Sequence, residues 1–205
     1  MKATSFFLST VSLAVAIAAA LPADVPAPNS GLPEGYKLVD VTWSGNITAD
    51  GPEMSFTGSS FHDIDSQILK ANPDFVWPDV GTNSTSEVMK RGDLGDTGDL
   101  LFCRPNGVQF ASSYRIKEGI DYLRGKSGKC HMQAGPRVCT RISCSYKSGI
   151  FWCNDNKHDI TIDCADWSSY SQDILDKCQT NDNQIAGQEF STSDKWNILI
   201  GRGNC

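Results

Sequence analysis

The chain has 205 residues, a formal net charge of −6 and an apolar fraction of 40%. Its basic side chains do not cluster, and this pattern excludes nucleic acid as the main partner. The sequence contains no internal repeat and no long low-complexity tract, so it is typical of a globular protein.

The first twenty residues have the layout of a secretory signal peptide. Lys2 supplies a positive charge, an apolar run follows from Phe6 to Ala20, and small residues stand at Ala18 and Ala20. This layout predicts cleavage after Ala20 and export of the remaining chain. No later segment approaches membrane-spanning length, so we expect a secreted, extracellular protein without a stable membrane anchor.

The next segment carries its own strand and helix signals. "YKLVDVTWSG" places Val39, Val41 and Trp43 on one face, and "EMSFTG" is a second short strand. "SSFHDIDSQILKANPDF" predicts a helix that Ser60 caps, with an apolar stripe ending before Asn72 and Pro73. The members of that stripe are Phe61, Ile64 and Ile68.

A dibasic pair, Lys90 and Arg91, follows in a polar stretch rich in Gly and Asp. It is either a solvated loop or a site where a secretory protease cuts after Arg91, and the export signal favours the second interpretation. Both glycosylation sequons, at Asn46 and Asn83, precede this pair.

The composition changes at Arg91. Residues 21–91 hold ten acidic and four basic side chains and no cysteine, whereas residues 92–205 hold fourteen acidic and thirteen basic side chains and every cysteine. The sequence therefore predicts a signal peptide (1–20), an acidic, cysteine-free pro-segment or N-terminal lobe (21–91) and a disulfide-rich domain (92–205).

The eight cysteines are an even number in an exported chain, which predicts up to four structural disulfides. The spacing lacks paired C-x2-C motifs, so zinc is not expected, and it does not choose among the possible pairings. The cysteines are Cys103, Cys130, Cys139, Cys144, Cys153, Cys164, Cys178 and Cys205.

The cysteine-rich part alternates helix and strand patterns. "SSYRIKEGIDYLRG" predicts a helix, and "RVCTRISCSY" predicts a strand with Val138, Thr140, Ile142 and Cys144 on one face. With "IFWC" and "HDITIDC" that strand is expected to form a three-stranded meander.

"DWSSYSQDILDKC" predicts a helix capped by Asp166, and "NQIAGQEF" and "KWNILIG" predict the closing strands. The helix stripe holds Trp167, Tyr170, Ile174 and Cys178. We therefore expect an α+β fold in which two helices pack on a disulfide-bonded antiparallel sheet, preceded by a small strand–helix pro-segment.

The sequence holds few groups that could carry catalysis. His158 lies beside Asp155 and Asp159 in a turn, which gives an acid–base pair for a small hydrolase or nuclease, although such turns are ordinary surface structure. No phosphate-binding, serine-hydrolase or metalloprotease motif occurs, and we expect no cofactor and no metal.

Two stretches, "CSYKSGIFWCNDN" and "YSQDILDKCQTNDNQIAGQEFSTSDKWNILIGRGNC", resemble fungal small secreted cysteine-rich proteins of the effector and killer-toxin-like kind. The resemblance implies a compact disulfide-bonded α+β fold and a non-enzymatic extracellular role toward a host or a competitor. It supplies no catalytic residues.

We therefore expect an effector or toxin that binds an unknown extracellular protein, glycan or cell-surface target after cleavage at Lys90 and Arg91. A lectin-like or hydrolase-inhibiting binding module is the main alternative, with the outward aromatic of Phe151 and Trp152 as its contact. A small secreted hydrolase that uses His158 is the third hypothesis.

Overall fold

The computed structural model describes residues 31–78, 100–192 and 194–205. The predicted signal peptide, Asn83, Lys90 and Arg91 lie outside the described residues. The strands are β1 (Lys37–Leu38), β2 (Val41–Asn46), β3 (Glu53–Gly58), β4 (Leu100–Cys103), β5 (Ala111–Ser112), β6 (Lys129–Met132), β7 (Val138–Ser145), β8 (Ser148–Asn154), β9 (Ile160–Asp163), β10 (Gln184–Ile185), β11 (Gly187–Phe190) and β12 (Trp196–Arg202). The helices are α1 (Phe61–Ala71), α2 (Ser113–Leu123) and α3 (Asp166–Cys178).

The strands form two main sheets, and the fold is α+β as predicted. The larger sheet has the order β1-β7-β8-β12-β11-β4, and the smaller has the order β3-β2-β6-β9. Strands β5 and β10 form a separate short pair. Only β1 and β7 run parallel among the strand pairs of the described residues; the other pairs are antiparallel.

Of the three helices, α1 has a side-chain hydrogen bond at its N-cap, whereas α2 and α3 begin without one. At α1 the Ser60 hydroxyl accepts the N–H of Asp63 at 3.3 Å, and the Asn72 N–H closes the last turn on Ile68. This capping and the buried apolar stripe of α1 are as predicted. In α3 the cap residue is Ala165, one position before the predicted Asp166, which occupies the first turn instead.

The larger sheet is buried on both faces. The helices cover one face: α2 contacts β7 and β8, α3 contacts β11 and β12, and α1 contacts β7. On the opposite face Phe151 and Leu199 form a second apolar cluster with the Cys139–Cys153 disulfide. Leu32, Tyr36 and Val108 pack over that cluster. A sheet covered twice buries nearly every side chain of its central strands.

Strand β7 contains a bulge that the sequence pattern does not reveal. Pairing with β8 shifts between Arg141 and Ser143, so that Ile142 is an extra residue. After the bulge, Ser143 lies opposite Ile150 and Cys144 lies opposite Gly149. The prediction that Cys144 shares a face with Val138 and Thr140 is therefore wrong, because one extra residue reverses the alternation.

The predicted meander is also wrong. Strand β8 pairs with β7 on one side and with β12 on the other, whereas β9 pairs with β6 in the smaller sheet. A strand's alternation of apolar residues identifies the strand but does not identify its neighbour.

The N-terminal segment, defined here as residues 31–78, shares both sheets with the C-terminal part, residues 100–205. Strand β1 extends the larger sheet beside β7, and β2 lies between β3 and β6 in the smaller sheet. Trp43 and Phe61 belong to the same apolar core as Trp152 and Trp167. In the described residues, no helix is long and apolar enough to span a bilayer.

Candidate binding surface

All eight cysteines are paired, and the four predicted disulfides are present. They join Cys103 to Cys178, Cys130 to Cys164, Cys139 to Cys153 and Cys144 to Cys205. The Cys103–Cys178 bond joins the edge strand β4 to α3. The Cys130–Cys164 bond joins β6 to the residue that follows β9, and the Cys144–Cys205 bond joins β7 to the last residue of the chain. Such cross-links hold the loops and strand ends of the C-terminal part in fixed positions.

Asn46, the predicted glycosylation site within the described residues, is exposed at the end of β2. Its side-chain amide donates to the carbonyl of Gly51 at 3.2 Å across the following turn. The position is at the surface, as an attached glycan requires. Glycosylation itself stays a prediction.

The predicted aromatic contact on the "GIFWC" strand is wrong. Phe151 and Trp152 point to opposite faces of β8, and both are fully buried because both faces of the larger sheet are covered. Trp152 packs against Trp167 of α3, with ring centroids 5.5 Å apart. Neither ring is available for recognition.

Two strongly exposed aromatic rings lie instead at the turn between β7 and β8 and at the start of α2. Tyr146 is 76% exposed and Tyr114 is 62% exposed. The Arg115 guanidinium lies 4.0 Å from the ring centroid of Tyr146 and 5.2 Å from that of Tyr114. We call these three residues and Lys147 the tyrosine–arginine surface.

The charge of this surface is held in place by a neighbour on the same helix. Arg115 donates to Glu118 at 2.8 Å, an exposed pair one turn apart. Hydrogen bonding to Glu118 raises the pKa of Arg115. Like any arginine, it carries a positive charge at neutral pH. The guanidinium, clamped between Glu118 and two tyrosine rings, has less rotamer freedom to lose on binding.

The backbone at the hairpin tip is unusual for the residues it carries. Tyr146 and Lys147 have φ values of +47° and +61°, the left-handed pair of a two-residue hairpin turn. Such turns favour Asn and Gly, since other L-residues cost about 1 kcal/mol each in this region. The Tyr146 ring is mostly exposed, so burial of the ring does not offset the cost of this backbone conformation. Strained positions of this kind concentrate at functional sites.

The residues of the hydrolase hypothesis are only partly brought together. His158 and Asp159 line an open cleft of about 370 Å³, together with Asp194 and Lys195. Asp159 accepts the Ala134 N–H at 2.8 Å and lies 3.8 Å from the His131 ring nitrogen Nε2. Within the described residues the His158 ring hydrogen-bonds to neither Asp155 nor Asp159.

Asp155 serves the fold instead. Its carboxylate accepts the Asn197 side-chain amide at 2.7 Å, the Tyr36 hydroxyl at 3.2 Å and the Arg137 N–H at 3.2 Å. A carboxylate with three donors on three separate segments holds those segments together. Asp155 therefore holds Tyr36, Arg137 and Asn197 together at the end of the central strand β8.

The sequence pattern did not reveal a buried polar cluster between α1 and the end of α2. Asp65 of α1 forms an ion pair with Lys126 at 3.0 Å and accepts the indole N–H of Trp77 at 2.9 Å. Tyr122 donates its hydroxyl to the same carboxylate, and the Lys126 ammonium lies 4.5 Å from the Trp77 ring centroid. We call Asp65, Trp77, Tyr122 and Lys126 the Asp65 cluster.

Burial governs the electrostatics of this cluster. It lowers the pKa of Lys126, while the Asp65 carboxylate opposes that shift. The pKa of Tyr122 is strongly raised by burial and by the adjacent Asp65. Only 7% of the Lys126 side chain and 16% of the Asp65 side chain are exposed, so this is an internal tether rather than an open site.

In the described ranges, no group of three or more His, Cys, Asp or Glu side chains is placed to hold a metal ion. Comparisons of the chain with protein-family models, with curated proteins and with solved structures gave no match.

Proposed function

We propose that the chain is a secreted, disulfide-stabilised protein of the effector or killer-toxin-like kind, which acts outside the cell by binding a protein target through the tyrosine–arginine surface. The observation that carries this proposal is the exposed, left-handed Tyr146 stacked on Arg115 at the tip of a hairpin. The resemblance of residues 100–205 to such proteins and the predicted signal peptide support the secreted role.

The chemistry of the surface favours a protein target over a glycan. Tyrosine and arginine are the residues that most often dominate the energy of protein interfaces. The two exposed rings and the guanidinium lie at the tip of a turn and at the start of a helix. Small ligands such as sugars are usually held in concave sites with several convergent polar groups.

The rigidity of the scaffold supports the same conclusion. The flanking strands β7 and β8 are cross-linked by the Cys139–Cys153 disulfide, and the Cys144–Cys205 disulfide lies near the turn. A contact residue fixed before binding loses little conformational entropy when the complex forms.

The test is binding of labelled protein to intact target cells, with toxicity measured in parallel. Tyr146→Asn removes the ring, and Asn tolerates the left-handed backbone. We expect this change and Arg115→Ala each to weaken binding by roughly 30-fold. Lys195→Asn is the matched control, because Lys195 is exposed and has a similar φ of +50° far from the tip.

Treatment of the cells separates the possible targets. Proteolysis of cell-surface proteins is expected to abolish binding, whereas loss of binding after glycosidase treatment alone would point to the lectin-like alternative. If Tyr146→Asn binds and kills as well as the unchanged protein, the tyrosine–arginine surface is not the contact.

A small secreted hydrolase is the second candidate, and the cleft beside His158 and Asp159 favours it. Under this hypothesis His158→Ala abolishes hydrolysis of a susceptible substrate and Tyr146→Asn does not. The two substitutions therefore give opposite patterns for the two candidates.

The proposal also includes the predicted cleavage and glycosylation of the chain. Cleavage after Ala20 and after Arg91, with glycans on Asn46 and Asn83, would give two secreted fragments, of which the first is glycosylated. The intact mass of the secreted protein before and after deglycosylation tests this. A single species that begins near Leu21 would show that Lys90 and Arg91 are an uncut loop.

A further inference from the structure

The N-terminal segment contributes strands to both main sheets, and no other described strand occupies their places beside β6 and β7. Strand β2 is hydrogen-bonded to β3 on one side and to β6 on the other, with Trp43 opposite Cys130. Strand β1 adds a parallel edge to β7, and the Val39 N–H donates to the carbonyl of Cys139 at 2.8 Å. The N-terminal segment is therefore joined to the C-terminal part by backbone hydrogen bonds within both main sheets.

Aromatic side chains interlock across the same boundary. The Phe61 ring of α1 meets the Trp167 ring of α3 edge to face, with centroids 5.0 Å apart. The Trp43 indole N–H donates to the carbonyl of Ser127 at 2.7 Å. Both rings are fully buried, so separating the two parts would expose large apolar surfaces to water.

The Asp65 cluster fixes the register of this contact. Asp65 and Trp77 come from the N-terminal segment, and Tyr122 and Lys126 come from the C-terminal part. A buried charge that loses its partner pays its full desolvation penalty. Sliding the N-terminal segment along the C-terminal part would leave the Lys126 ammonium buried without its carboxylate.

No covalent bond other than the backbone joins the two parts. The sequence has no cysteine before Cys103, and all eight cysteines pair within residues 103–205. The backbone link is the stretch 79–99. A single cut there would make the protein a two-chain molecule without any disulfide between the chains.

We infer that the N-terminal segment is a non-covalently bound subunit of the working protein, which stays in place when the link at 79–99 is cut. The C-terminal part is its binding partner, through β6, β7, Trp167 and Lys126. This conclusion is independent of the binding surface proposed above, and it holds whichever protease cuts the link.

The experiment uses the secreted full chain with residues 86–91 replaced by the recognition sequence of a site-specific protease. After complete digestion, the sample is analysed by gel filtration and by native mass spectrometry. Denaturing, non-reducing mass spectrometry verifies the cut. We expect one native species with the summed mass of both fragments, and two separate fragments under denaturing conditions.

Variants test the role of the Asp65 cluster. In the cut protein, Asp65→Asn is expected to raise the dissociation constant of the two fragments by about 100-fold, since it leaves Lys126 without a counter-charge. Leu69→Ala, on the exposed side of the same helix, is the control and should leave the constant unchanged. Circular dichroism of the uncut variants verifies their folding.

Separate elution of the fragments from the unsubstituted cut protein would overturn the inference. Equal weakening by Asp65→Asn and Leu69→Ala would overturn the role of the Asp65 cluster while leaving the association itself intact.

Discussion

At the scale of single residues, the Asp65–Lys126 ion pair illustrates how a buried charge is accommodated. Burial alone would favour a neutral lysine, and the lowered pKa of Lys126 reflects that cost. The pair persists because Asp65 also accepts the Trp77 and Tyr122 donors, while aromatic rings surround the ammonium. Each polar atom thereby keeps a partner inside the protein.

Removing one partner should therefore be costly. Lys126→Met keeps the length of the side chain but leaves the Asp65 carboxylate without its counter-charge, so we expect the free energy of unfolding to fall by about 3 kcal/mol. Urea denaturation followed by tryptophan fluorescence measures the change.

A surface ion pair supplies the matched control. Lys129 and Asp163 have exposed side chains that lie 2.8 Å apart, and Lys129→Met should cause no measurable loss of stability. Equal losses in the two variants would mean that the Asp65 cluster is no stronger than a surface pair.

The raised pKa of Tyr122 predicts a dependence of stability on pH. In the unfolded chain this phenol ionises near its ordinary value of 10.0, whereas burial and Asp65 keep it protonated in the folded protein. The stabilisation is complete below pH 10 and is lost as the pH rises further, because ionisation then favours unfolding. Tyr36, whose pKa is also raised by burial, acts in the same direction.

Tyr122→Phe should flatten this decline. Between pH 10 and 11, the free energy of unfolding of the variant is expected to fall less steeply than that of the unchanged protein. Parallel slopes, measured by denaturation at each pH, would show that Tyr122 ionises as readily in the folded chain as in the unfolded one.

The sequence could not reveal the Asp65 cluster. Lys126 lies in the stretch "RGKSGK", which has the composition of a solvated turn, and Asp65 is one of several polar residues on a short helix. Their burial results from Trp77 and Tyr122 folding over them from other segments. A contact between residues 61 positions apart leaves no local pattern.

At the scale of elements, most helices and strands were predictable because each has a local apolar period. Helix α1 was recognisable from Ser60 and its stripe, and β12 from Trp196, Ile198 and Ile200. The bulge at Ile142 was not predictable, since it depends on pairing with β8. The tyrosine–arginine surface was missed for a related reason, since Arg115 and Tyr146 come together only after α2 packs on β7 and β8.

Helix α3 and strand β11 approach each other closely at Gly187. A Cβ atom on Gly187 would lie 2.4 Å from the Cγ2 atom of Ile174 and 3.2 Å from the sulfur of Cys178. Gly187→Ala should therefore push the helix from the sheet and cost about 1–3 kcal/mol of stability.

A double substitution identifies the cause. In the background of Ile174→Ala, which removes the clashing methyl group, Gly187→Ala should cost clearly less than it does alone. Strict additivity of the two losses, measured by chemical denaturation, would rule out the steric explanation.

At the β7–β8 turn, a substitution is expected to raise the stability of the fold. Tyr146→Asn places a residue that favours the left-handed backbone at an exposed position, so it should raise stability by about 0.5 kcal/mol. A higher melting temperature together with weaker target binding is the expected result. A lower melting temperature would mean that stacking of the Arg115 guanidinium on the Tyr146 ring stabilises the fold by more than the backbone strain destabilises it.

At the scale of the whole molecule, the sequence indicated the α+β class but not how the strands are distributed. The composition break at Arg91 indicates two segments, yet β1 and β2 enter sheets of the C-terminal part. Long-range strand pairing of this kind is set by the complete core and by nothing in the paired strands alone. Because both sheets and the apolar core are shared, we expect residues 31–78 and 100–205 to form one cooperative fold.

Hydrogen exchange of the protein, followed by mass spectrometry of peptic peptides, distinguishes one cooperative fold from two independent parts. Amides of β2 and α1 should exchange as slowly as those of β6 and β12, because one global unfolding event exposes them all. Protection of β6 and β12 together with rapid exchange throughout β2 and α1 would show that the N-terminal segment is only loosely attached and that the two parts do not unfold together.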